Sequence, residues 1–113
     1  MRHVMRLHEE PFEMIKNDLK TIEYRLNDEK RKKIKIGDTI IFNKRPLENE
    51  YIKVIVEDLK YYKDLLDMYS ATFERDFKSK YSTPQDVVDD TPYYTEDEVK
   101  THGCVAIYFR KYS

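Results

Sequence analysis

Apolar and polar positions alternate from Arg2 to His8, with His3, Met5 and Leu7 on one side and Arg2, Val4, Arg6 and His8 on the other, as in a half-buried strand. Pro11 follows as a first helical residue, a position that tolerates proline, and Glu9 and Glu10 suit the positive helix end. Phe12, Ile15 and Leu19 then form an apolar stripe at helical spacing. Asn17 and Asp18 both tolerate the left-handed conformation that ends helices, so this helix is short.

The stretch KTIEYR opens a second strand. Its alternation puts Lys20, Ile22, Tyr24 and Leu26 on a mainly core side and Thr21, Glu23, Arg25 and Asn27 on the other. A charged turn from Asp28 to Lys35 leads through Gly37 to the β-branched run Thr39-Ile40-Ile41-Phe42, and Ile52, Val54 and Val56 mark a further strand. From about Leu59 the period changes. Tyr62, Leu65, Leu66 and Tyr69 predict one helix, and Phe73, Phe77 and Tyr81 a second. Thr83-Pro84 before Asp86, and Thr95 before Glu98, resemble capping boxes. Gly103 ends the last helix, and Cys104 to Phe109 closes the chain as a nearly continuous apolar strand.

The order is therefore strand, helix, three strands, a block of short helices, and a last strand. A doubly wound parallel sheet would need helices between nearly all strands, so an α+β fold of about five to six strands in a curled or barrel-like, mixed or antiparallel sheet fits better. At 113 residues the chain is read as a single domain, residues 1–113. Charged residues make up 38% of it, which predicts a soluble protein. With neither the apolar core of a signal peptide nor a run of about 18 apolar residues, a cytoplasmic location and no membrane partner are expected. The lone Cys104 predicts no disulfide-linked partner, and nothing in the pattern sets an oligomeric state.

Net charge is −1, but up to Arg45 there are 12 Lys/Arg against 8 Asp/Glu, leaving the amino-terminal part as the candidate anion-facing side. Within it, Thr21, Glu23 and Arg25 project from one strand face about 6 to 7 Å apart. A forked donor beside an acceptor could read a base edge; a solvated face whose charges neutralise each other is the plainer account. Lys20, at the junction of helix and strand, either snorkels to water or sits partly desolvated, where it could act as a base or nucleophile. The basic run Lys30 to Lys35 suits phosphates and ordinary turns alike, and ten tyrosines suit stacking on bases as well as packing. His102 and Cys104 lack zinc-knuckle spacing, and two glycines cannot build a nucleotide cradle; neither metal nor cofactor is expected.

The helix EEPFEMIKNDL followed by KTIEYR resembles the signature of the ASCH domain, a branch of the PUA-like superfamily, in which a short helix leads into G-x-K-x-x-E-x-R. Lys20, Glu23 and Arg25 match its last three positions, and Asp18 stands at the glycine position. IGDTIIF and THGCVAIYF are similar to later strands of small bacterial members, so the resemblance runs from about His3 to Phe109. It implies a small PUA-like β-barrel with a cleft beside the first helix and a role in binding RNA or modified nucleosides. Thr21, Glu23 and Arg25 would then line one wall with Lys20 at its corner, joined by Arg6 and His8 if the first strand's polar side faces the same way.

One similar branch hydrolyses N4-acylated cytidine with a K-T-x-T-x-R stretch. Here Glu23 stands where that branch's second threonine would, so a hydrolase would need Thr21 as nucleophile or Glu23 as a base for water, with Lys20 beside them. Three functions follow from the sequence: an RNA- or nucleotide-binding module, a hydrolase of a modified nucleoside, and a protein-interaction domain without a small ligand.

Overall fold

The computed structural model describes residues 1–112. Five strands and four α-helices are present among them: β1 Arg2–Leu7, α1 Glu9–Lys16, β2 Ile22–Leu26, β3 Thr39–Lys44, β4 Tyr51–Tyr62, α2 Leu65–Ala71, α3 Pro84–Asp89, α4 Glu96–His102 and β5 Cys104–Lys111. The strands form one sheet in the order β1-β3-β4-β5-β2. β1 runs parallel to β3, and β3 antiparallel to β4, so the sheet is mixed and the α+β class expected from the sequence is the one observed. The residues fall into two compact units, and all five strands pass through the first.

The first unit comprises Met1–Glu23, Lys33–Leu59 and the chain from Ile107 onward. Strand β1 is buried at every second residue, at His3, Met5 and Leu7, as its alternation predicts. The register Met5↔Phe42 and Phe42↔Ile52 carries that inner face across β3 to β4, and the Phe42 ring meets Phe109 of β5 at 5.5 Å between centroids. Helix α1 lies on this side: Phe12 and Ile15 are buried, and the ammonium of Lys44, in register with Leu7, stands 5.7 Å from the Phe12 ring centre. The opposite face carries the rows Arg2–Thr39–Ile55, Val4–Ile41–Lys53 and Arg6–Asn43–Tyr51. Ile34, inside the turn that reads as purely charged, is buried and anchors it.

Helix α1 starts at Glu9, so Pro11 is its third residue, where its missing N–H is still one that no helix bond needs. It stops at Lys16. The N–H of Leu19 donates to the Met14 carbonyl (2.8 Å) and that of Asp18 to the Ile15 carbonyl (3.1 Å), while Asp18 takes φ 62. This is a Schellman ending with aspartate in the left-handed position glycine usually fills. Leu19 therefore falls off the helical stripe and is 71% exposed, a correction to its expected core role. Replacing Asp18 with glycine removes the steric cost of the left-handed backbone and forfeits only an exposed 3.2 Å pair with Lys111. Asp18→Gly is expected to stabilise the protein by about 1 kcal/mol in urea unfolding; a loss of stability would show that the aspartate side chain matters more than its backbone.

The second unit comprises Tyr24–Lys32 and Lys60–Ala106. The helix expected from Tyr62, Leu65, Leu66 and Tyr69 is present but starts only at Leu65, because β4 continues through the β-favouring Tyr61 and Tyr62. Helix α2 begins after Asp64, whose carboxylate accepts from the Asp67 N–H at 2.8 Å, a cap the apolar spacing did not reveal. Phe73–Phe77 form a single π-helical turn closed by Lys78 N–H to the Phe73 carbonyl, and Tyr81 lies beyond it. Both expected capping boxes are present, at Thr83 with Asp86 and at Thr95 with Glu98. Gly103 has φ 69, and a Cβ there would lie 2.9 Å from the Tyr62 carbonyl, so only glycine fits. Tyr24, Tyr69 and Phe77 pack their rings at 5.1 to 5.7 Å.

Candidate functional site

Lys20 and Thr21 lie in the extended stretch that follows the left-handed Asp18, before the strand proper begins at Ile22. Strict alternation does not yet apply there, so Lys20 turns back instead of pointing along the Ile22 side. Its ammonium donates to the Ile22 carbonyl at 2.7 Å and sits 3.2 Å from Glu23 Oε1. The Lys20 side chain is 16% exposed and that of Glu23 6%. The pair is thus desolvated, which overturns the picture of a solvated, self-neutralising strand face.

The side of the sheet is set by the ladder. Phe109 N–H donates to the Thr21 carbonyl at 3.0 Å, and Asn27 N–H to the Gly103 carbonyl at 2.9 Å, so β2 and β5 run antiparallel with Thr21 opposite Phe109. Thr21, half-buried, and Glu23 therefore face the side of Phe109, which is the side helix α1 covers. Arg25, half-buried, is two residues further along β2 and belongs to the second unit.

Arg6 and His8 are not brought to this group. Arg6 lies on the other face of the sheet with Val4, 3.8 Å from Glu48, because Met5 and Leu7 take the inward positions of β1. His8 is the exposed residue preceding α1 and its side chain makes no capping bond. The condition on which they were expected to join the site is not met.

Other candidate groups have structural roles. Arg31 pairs with Asp28 at 3.3 Å and Lys32 with Glu29 at 3.4 Å, so these two cations of the basic turn are neutralised locally. The Tyr24 hydroxyl donates to Asp76 at 2.5 Å and lies 2.6 Å from Thr72 Oγ1, which makes this ring a packing element of its unit. Cys104 is buried; burial, and secondarily the charge of Asp64, push its thiol up to about 11, leaving little thiolate for nucleophilic work. Among the described residues no group of three His, Cys, Asp or Glu side chains could hold a metal ion. No helix among them is long and apolar enough to cross a membrane.

Sequence reasoning placed His3 on the core side without assigning it a partner. Its Nε2 lies 2.8 Å from Asp38 Oδ2, and Asp38 also accepts from the Lys35 N–H at 3.0 Å. Burial alone would raise the Asp38 carboxyl. The hydrogen bonds from His3 and Lys35, with the Met1 amine, outweigh it and hold the group at about 2 against an ordinary 3.8. A carboxyl with a lowered folded value stabilises the fold above its unfolded value and loses that contribution as pH falls through the folded one. Stability is therefore expected to drop by about 2 kcal/mol between pH 4 and pH 2 from this group alone. In Asp38→Asn that part of the acid slope should vanish from urea midpoints measured across the same interval; an unchanged slope would assign the acid sensitivity to other carboxylates.

The family model of the ASCH domain matches residues 5–113. The crystal structure of a hypothetical protein from Pyrococcus, PH0355, is 34% identical, with 99% of this chain and 100% of that chain covered and a TM-score of 0.85. The solution NMR structure of protein PF0455 from Pyrococcus furiosus is 29% identical, with 98% and 97% covered and a TM-score of 0.73. No curated protein matches the sequence at a significant level.

Proposed function

This chain belongs to the ASCH domain family, with a PUA-like α+β fold, and on that premise we propose that it is an RNA- or nucleotide-binding module whose base-recognising group is the buried Lys20–Glu23 pair. The observation that carries this reading is the 3.2 Å contact between an ammonium and a carboxylate that are both largely removed from water, on the α1 side of the sheet. Together they present a donor beside an acceptor. A pyrimidine edge offers the complement, an N–H donor next to a carbonyl or ring-nitrogen acceptor. A desolvated site strengthens such hydrogen bonds, and the net neutrality of the pair suits a base better than a bare phosphate.

The test compares the affinity of the wild type and of Glu23→Gln for cytidine and uridine monophosphates. Glutamine keeps the shape but replaces an acceptor oxygen with a donor, so at least a tenfold loss is expected. Equal affinities would remove Glu23 from recognition.

A hydrolase reading draws on the same burial, because a neutral pair suits a neutral acylated nucleoside. In it Glu23 takes a proton from water, the water's oxygen bonds to the acyl carbon, and the C–N bond breaks as Glu23 passes that proton to the leaving nitrogen, giving carboxylate and free amine. Release of acetate from N4-acetylcytidine, lost in Glu23→Gln, is the outcome it requires.

A further inference from the structure

Opposite α1, the part of the sheet built from β1, β3 and β4 presents exposed basic and aromatic side chains, and we infer that it is a second surface, one along which a single-stranded polynucleotide runs. The register sets its composition. Arg2 and Arg6 alternate outward on β1, Val4 between them pairs through Ile41 to Lys53, and Arg6 pairs through Asn43 to Tyr51. The Lys53 ammonium lies 4.2 Å from the centre of the Tyr112 ring, which brings Tyr112 onto the same face. Glu57 follows Tyr51, Lys53 and Ile55 at the same alternation and stands 3.6 Å from Arg110, which brings Arg110 there too. Tyr51 is 69% exposed and Tyr112 53%.

Four cations, Arg2, Arg6, Lys53 and Arg110, thus share this face, with Glu57 beside Arg110 and Glu48 beside Arg6. The pairs Arg110–Glu57 and Arg6–Glu48 are solvent-exposed, so they hold their cations weakly and can yield to phosphate. Tyr51 and Lys53 are one alternation step apart, about 7 Å, so a ring and a cation backed by a second ring succeed each other across the face. Rings for bases interleaved with cations for phosphates are what single-stranded nucleic acid needs, and base-to-aromatic stacking tolerates any sequence. The overall charge of −1 does not oppose this, because the acidic excess lies after Arg45 while Arg2 and Arg6 precede it. The inference shares with the proposed function the premise that the partner is RNA, but not the Lys20–Glu23 pair.

The experiment is fluorescence anisotropy with a labelled single-stranded RNA of twelve nucleotides, across salt concentrations, on the full chain. Expected are a logarithmic salt slope of about −2 to −3, as three or four phosphate contacts would give, and at least a tenfold loss of affinity in Lys53→Gln/Arg110→Gln. Tyr51→Ser/Tyr112→Ser should lose a similar factor at an unchanged salt slope. All four positions lie on the solvent side, and thermal midpoints check that the variants fold. If both double variants bind like the wild type while Glu23→Gln fails, the open face is excluded and the pair stands. If the double variants fail while Glu23→Gln binds normally, the face stands and the pair is excluded as the base reader. Binding to phosphatidylserine vesicles with none to the RNA would overturn the inference and make the face a membrane-contact surface.

Discussion

Lys20→Met is expected to destabilise the protein by about 3 kcal/mol, and Glu23→Leu by a similar amount, while the two together cost far less than the sum. Each single change removes one member of the desolvated pair and leaves the other buried charge less well compensated, which sets the cost. With both replaced by apolar groups of similar size, neither member of the pair is left charged and desolvated alone. A cost of 3 kcal/mol corresponds to roughly 15 °C in the thermal midpoint of a domain this size. Urea unfolding of the four members of the cycle measures it; additive losses would mean that the 3.2 Å pair is not coupled in solution. The double variant separates stability from recognition, since it should fold nearly as well as the wild type and bind no base.

Phe12→Ala should cost about 4 kcal/mol. Helix α1 has eight residues, too few to be helical alone, so it exists because its apolar side is docked. Phe12 is 1% exposed and, with Ile15, accounts for the buried part of the helix. Truncating it leaves a cavity under α1, and amide exchange along Glu9–Lys16 should accelerate before the rest of the protein opens. Leu19→Ala, by contrast, should stay within about 0.5 kcal/mol, because that side chain is in water. If Leu19→Ala matched Phe12→Ala, the helix would extend further than Lys16.

The contrast between those two residues shows how far the sequence could be read. Periodicity recognised the stripe of Phe12, Ile15 and Leu19, but the stripe stops where a backbone turn stops it, and the signal for that turn was only that Asn17 and Asp18 tolerate it. Strand β1 and both threonine caps were legible because each depends on neighbours within a few residues. The end of β4 was not, since Leu59 to Tyr62 satisfies a helical spacing and a strand ladder equally, and the partner strand decides. At the site, the residue types were legible and their pairing was not. Lys20 and Glu23 sit on opposite sides of an ideal strand, and they meet because the chain has not yet become a strand at Lys20. Burial of Glu23 had no local signal at all, because a carboxylate on a strand face reads as solvated until the rest of the fold is in place. The same dependence on the rest of the fold sent Arg6 to the other face.

The claim that the Lys20–Glu23 pair reads a base is tested most directly by following the amides of Lys20 to Glu23 and the Lys20 ammonium by NMR while cytidine monophosphate is added. The account predicts saturable shifts centred on these residues and on Thr21's neighbour Phe109, and their disappearance in Lys20→Met/Glu23→Leu. Saturable shifts that leave Lys20 to Glu23 unmoved, or that persist in the double variant, would contradict it.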